Sequence, residues 1–404
     1  MGGAAKRMMH PYDNLDLTFN NMIDMMNQVV NGEINCYEKF DGTNLVWCVD
    51  NEGQPRYARK VGQTLTGGLS YDEFLKSLKG HPVEHIFSSG ARAVKELTFA
   101  HGSPTIPEKN TWVNSEILLK DNPQMIKYDH DSIVLHKLVV PVRDSENKLH
   151  LADVTSDYTR KWQLFIMRSR LLGLRNWKVR GPQKMKVAPM YELASNTRND
   201  LDSIALAANV DLNSSLRDFV YTSTVHALIC VAAVSEDHAH QLAENVVGRG
   251  KHNIRTIKGH YSKYVCDWID KIALSKNRDK WINNVMMPVK KCWELFGASL
   301  LSETDSTMIK DSKSARERLK SLVEWNKSKL DKKYKESHPK VRDNFYFQLR
   351  RFEALNVEPP VSEGLVFSFE RNTYKLTGAF PSLNRVTGAV RYEIGEMYNE
   401  KTSN

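Results

Sequence analysis

Residues 34–50 read INCYEKFDGTNLVWCVD, and the Asp41-Gly42 step inside them decides how the rest of the chain is read. Upstream, Ile34 to Phe40 is rich in apolar and aromatic residues. Downstream, Asn44 to Asp50 alternates, with Leu45, Trp47 and Val49 on one face. Asp-Gly between two such runs is the usual signature of a β-hairpin, so a hairpin is the expectation, with Lys39 at its mouth. A lysine there is either a solvated turn residue or a nucleophile presented by a sheet.

Outward from this point, 55–61 reads as a third strand after the turn signal NEGQP. Residues 71–79 and 83–98 show helical spacing of apolar residues, and strand-like runs resume at 111–120, 132–142 and 149–154. The texture changes after Tyr158. From 159 to 355 apolar residues recur at i, i+3, i+4, and the charged run 310–351 reads as one or two exposed helices broken near Pro339. Strand character returns at 363–380, turning at Arg371-Asn372. The expected fold is α+β: antiparallel sheets formed by 1–158 and 356–404, which share a sheet system, with 159–355 as a helical insertion.

With 404 residues the chain is long enough for two or three domains. No apolar run has the length of a signal peptide or membrane span, and Lys6 stands where myristoylation favours serine or threonine. Five scattered cysteines without C-x-x-C spacing fit free thiols in a reducing, cytoplasmic setting and argue against a zinc ribbon. The net charge is +9, but residues 161–355 carry 35 Lys and Arg against 21 Asp and Glu. That is +14, leaving −5 for the remainder, and such segregation points to a polyanion partner for the helical part. The stretch from Arg160 to Lys186 holds nine basic residues and no acidic one, interleaved with Trp162, Phe165 and Trp177. Two readings fit it: phosphate contacts with base stacking, or an amphipathic helix with a solvated basic face. His81 and His85, the EDHAH segment at 236–240 and the Gly67-Gly68 pair read as surface helix histidines, a solvated face and a turn.

The K-x-D-G of EKFDGTN is followed, in order, by ARK, NSEILL, SEGLVFSF and TYKLTG. This ordered set resembles the covalent nucleotidyltransferase superfamily of ATP-dependent DNA ligases, RNA ligases and capping guanylyltransferases. Asn44, where DNA ligases and capping enzymes usually carry arginine, looks like the branch of phage double-strand-sealing RNA ligases and RNA-editing ligases. The resemblance covers 30–140 and 358–385. It implies adenylyl transfer from ATP, with Mg²⁺, through Lys39 to a nucleic-acid 5′-phosphate, RNA in preference to DNA, in a cytoplasm (the host's, for a viral source). On the same basis Asp41 and Glu363 would hold the metal or its waters. Lys375 would meet the phosphates, and Glu38, Gly42, Asn44, Arg59, Glu116 and His136 would line the nucleotide, with Arg56 and Lys60 competing for the place of Arg59. Arg160, Lys161, Arg168, Arg170, Arg175, Lys178 and Arg180 would contact the polynucleotide.

The chemistry fits these residue types. A lysine amine near its ordinary pKa of about 10.4 is almost wholly protonated at neutral pH. It becomes nucleophilic only where its surroundings favour the neutral form. The sequence also departs from the family. Phe367 and Ser368 occupy places where a fourth-motif lysine is usual, and Lys375-Leu376-Thr377 replaces K-x-K. One or two cations are thus missing at the phosphates. About 25 residues follow that last motif, too few for an OB domain. A capping-type guanylyltransferase, or a non-catalytic nucleic-acid-binding protein on a degenerate ligase core, stay open beside the ligase.

Overall fold

The computed structural model describes residues 8–393, other than 82–83, 102–110, 121–125, 127, 144–146, 148, 175, 305–311, 333–338 and 371. The strands among the described residues are β1 (Tyr37–Lys39), β2 (Thr43–Val49), β3 (Pro55–Ala58), β4 (Trp112–Leu118), β5 (Ser132–Arg143), β6 (Leu149–Asp153), β7 (Lys178–Arg180), β8 (Gly364–Phe369) and β9 (Asn372–Leu376). They form two sheets. The larger runs β3-β2-β4-β5-β6 with β7 parallel beside β5, and the smaller runs β1-β8-β9. Every other pairing is antiparallel, and many helices surround the sheets, so the chain is α+β. Among the described residues no helix is long and apolar enough to cross a membrane.

The expected hairpin does not form. The β2 strand pairs with β3 on one edge and β4 on the other, so neither edge is left for β1, which pairs with β8 instead. The Asp41-Gly42 step therefore passes from one sheet to the other, and Lys39 ends a strand of the small sheet. The expected union of the early and late strand regions is direct, because Lys39 sits opposite Gly364.

Alternation along β2 explains the layering, since successive side chains leave opposite faces. Leu45 and Trp47 join Tyr57, Val113, Ile117 and Leu135 beneath the helices Tyr71–Leu78, Glu84–His101 and Thr159–Leu172. Val46 leaves the other face, with Ala58, Trp112 and Val139. Beside it, Phe40, Leu118 and Val134 meet residues of the helices Ser312–Lys332, Pro339–Glu353 and Phe380–Glu393. The small sheet buries Leu365, Phe367, Tyr374 and Leu376 against a helical body that includes both Phe19–Val30 and the helices from Tyr191 to Ser302.

The boundary drawn at residue 159 thus cuts through one packed unit. The first helix of the basic stretch lies on the large sheet, and β7 joins it. That strand is only three residues long, and its single buried side chain, Val179, shows no alternation to read. Phe165 stacks on both Trp162 and His101 within the core, and Trp162 is buried with it, so neither ring is open to a base.

Candidate active site

The turn after β1 is held from two sides. The Asp41 N–H donates to the Tyr128 hydroxyl at 2.8 Å, and the Gly42 N–H donates to Glu116 Oε1 at 3.1 Å. Glycine is required at 42 because a β-carbon would meet Glu116 Cγ at 2.5 Å and Leu118 Cδ2 at 2.6 Å. Two residues before the opposing strand, the Ser362 hydroxyl donates to the Lys39 carbonyl at 3.3 Å, across 323 residues of chain, and accepts the Gly364 N–H. Gly364 has φ +150°, and a β-carbon there would run into the Leu376 carbonyl. These contacts bring Lys39 Nζ to 2.5 Å from Glu363 Oε2.

Three carboxylates surround that one ammonium. Burial pulls the Lys39 amine down, but the charges of Glu363, Glu116 and Asp41 outweigh it, so its pKa is raised and it rests protonated. Burial pushes Glu363 up, and Glu116 and Asp41 add to it against the pull of Lys39, to about 7. Glu116 is lowered instead. Burial acts against its charged form, but the His136 hydrogen bond at 3.0 Å, the Lys39 charge and the Gly42 N–H prevail. The Tyr128 phenol is raised by its burial and by the Asp41 charge, so it stays neutral.

Other expected residues divide. Asn44 sits opposite Glu116 in register, its amide donating to Asn114 Oδ1 and the Ser115 carbonyl. Its own Oδ1 is buried with no hydrogen-bond partner. His136 lies within the cluster, bonded to Glu116, with its ring centroid 6.2 Å from that of Phe40. Lys375 is buried in β9 and shares a cross-strand row with Val366 and Tyr37. Glu38 is buried and leaves β1 on the side away from Lys39, where its charge acts on Arg180 and Tyr128.

Arg59 does not join the cluster. Its guanidinium pairs with His81 Nε2 at 3.0 Å and lies 5.0 Å over the ring of Phe87, on the helix covering the other face. The pairing of β2 with β3 ends at Val46 and Ala58, so the competitor Lys60 lies beyond the strand at the N-cap of the short helix Val61–Leu65, and Arg56, opposite Cys48, donates to the Gly67 and Gly68 carbonyls.

Of the basic stretch, Arg160, Lys161, Arg168, Arg170 and Lys178 are exposed. Arg180 is half-buried opposite Val134, its pKa lowered by burial and by Arg170. Arg175 lies outside the described residues. Tyr128, Ser362 and Asn114 escaped the sequence reading. Tyr128 comes from an irregular segment, and the other two look like ordinary strand polars. Among the described residues no three His, Cys, Asp or Glu side chains are placed to hold one metal ion. Comparison with protein-family models, curated proteins and solved structures found no match.

Proposed function

We propose that the protein is an ATP-dependent polynucleotide ligase of the RNA-ligase type, built on a nucleotidyltransferase core and working through a covalent Lys39–AMP. The observation that carries this reading is the contact of Lys39 with Glu363, two motif residues distant in sequence, inside a ring that also holds Asp41 and Glu116. Lys39 Nζ attacks the α-phosphorus of ATP, an N–P bond forms, the bond to the bridging oxygen breaks, and pyrophosphate leaves. Glu363 takes the proton from the amine. From a lysine held above its ordinary range to a carboxylate near 7, that transfer is uphill, so it needs added positive charge.

The donor set suits a divalent cation. Carboxylates outnumber ammonium groups around Lys39, and burial together with the charges of Glu116 and Asp41 holds Glu363 near 7. Asp41 and Glu363 are the hard oxygen donors that would hold Mg²⁺ or its waters, and the ion would supply positive charge at the phosphates. The orphaned Asn44 Oδ1 is an acceptor that a nucleotide hydroxyl or amine would satisfy. AMP would then pass to a 5′-phosphate, from which a 3′-hydroxyl displaces it. The exposed cations of the helix Thr159–Leu172 would hold the polynucleotide by its phosphates.

The test is to incubate the protein with labelled ATP or GTP and Mg²⁺. The expected result is an adenylyl adduct that mass spectrometry places on Lys39 and that Lys39→Ala lacks. No adduct, or one on another residue, refutes the reading. A guanylyl adduct would turn it to capping.

A further inference from the structure

The strand bearing Lys39 has a second neighbour. On the edge of β1 away from β8, Glu38 N–H donates to the Gln183 carbonyl at 2.8 Å and Met185 N–H donates to the Cys36 carbonyl at 2.8 Å. Tyr37 and Lys184 form the bridge between these bonds, an antiparallel pair of the closely spaced, non-hydrogen-bonded kind. The small sheet is thus extended by one chain from the basic stretch. Lys184, Tyr37, Val366 and Lys375 make a single cross-strand row. Residues directly opposite share a face, and so do residues two apart along a strand, so the row stands on the face of Lys39. The neighbours at 36 and 185 point the other way, into the helical body.

We infer that Lys184 is a phosphate-binding cation of the Lys39 site, contributed by the helical part of the chain. It is exposed beside Tyr37, which is 37% exposed. As a diagonal neighbour it lies about 7–8 Å from Lys39 across the sheet. Lys375 stands at the far end of the row, about 10 Å from Tyr37. Two ammonium groups thus flank the approach to a carboxylate-ringed lysine, where a bound polyphosphate or 5′-phosphate would need positive charge. The short late motifs provide one such lysine; the pairing of 183–185 with β1 provides another, remote in sequence. A compact ammonium on a flexible stem suits a phosphate as a point charge.

The phosphate belongs either to ATP or to the polynucleotide, and this assignment rests on the ligase reading. Two binding comparisons separate the sources in wild type, Lys184→Ala and Lys184→Arg. One sets α,β-methylene-ATP against AMP; the other sets a 5′-phosphorylated RNA oligonucleotide against its 5′-hydroxyl form. Wild type should prefer the richer phosphate in at least one comparison. Lys184→Ala should lose that preference about tenfold with AMP or 5′-hydroxyl affinity unchanged, and Lys184→Arg should keep it. Loss in the first comparison assigns the phosphate to ATP, and loss in the second to the polynucleotide. Preferences intact in Lys184→Ala, or absent from wild type, overturn the inference. A covalent adduct in that case leaves the ligase reading standing. Lost preference in Lys184→Ala without any adduct in wild type removes the ligase reading and keeps the phosphate site.

Discussion

Glu363 ties charge at the site to measurable behaviour. Its folded pKa is raised from the ordinary 4.5 to about 7. Its contribution to stability is therefore full below pH 4.5 and lost as pH rises through 7. Glu363→Gln stays neutral throughout, so thermal melts from pH 4.5 to 8 should show the wild type losing on the order of 1–3 kcal/mol relative to it. Equal pH dependence in the two proteins would contradict the raised carboxyl. Adduct formation should climb as pH passes about 7, where Glu363 becomes able to accept the amine proton, and Glu363→Gln should be slow at every pH. Gly42→Ala places a methyl against Glu116 and Leu118 and should cost about 1–3 kcal/mol by denaturant titration, with adduct formation falling as well. At this scale the sequence was legible where residue chemistry is unusual: Lys39, Glu363 and Glu116 come together as their motifs suggest. Arg59 illustrates the opposite. It follows directly on β3, and its guanidinium turns to His81 and Phe87, a destination that the adjacent cations of the sequence do not disclose.

Among the elements, the helix Thr159–Leu172 shows how one stretch can satisfy two readings at once. Its aromatics are core, while Arg160, Lys161 and Arg168 face solvent. Trp162→Ala should cost about 3–5 kcal/mol of stability, as expected for a large buried ring. Were Trp162 a stacking platform for bases, the same change would spare stability and weaken binding alone. The triple reversal of Arg160, Lys161 and Arg168 to glutamate should leave the melting temperature nearly unchanged, weaken nucleic-acid binding and flatten its salt dependence. Unchanged binding would make the basic face a solvated surface only. Strands β4 and β5 were readable as apolar runs, buried along much of their length, but their partners were not. Alternation specifies which side chains are buried and says nothing about which edge is free. The hairpin at Asp41-Gly42 therefore failed on the far edge of β2, which β4 occupies.

Across the whole molecule, the segregated charge predicts that polynucleotide affinity falls steeply with added salt whatever the base sequence, since counterion release dominates such binding. A titration from 50 to 200 mM salt that leaves affinity flat would rule out the helical part as a phosphate-binding surface. The division at residue 159 was drawn from texture, which registers helix against strand but not which layer a helix joins; Trp162 and Phe165 sit under the large sheet, while Phe19–Val30 sits with the helical body. The pairing of β1 with β8 carries a consequence for the life of the chain. A ribosome that has delivered the first 355 residues has made Lys39 but neither its strand partner nor Glu363. A nascent or truncated chain therefore holds a lysine that has Asp41 and Glu116 near it but lacks Glu363, and a strand edge without its mate. Delivery of the segment that carries Glu363 and β8 is the step that brings these residues to Lys39, and chains that stop short of it leave an edge of β1 exposed to strand addition by a neighbour.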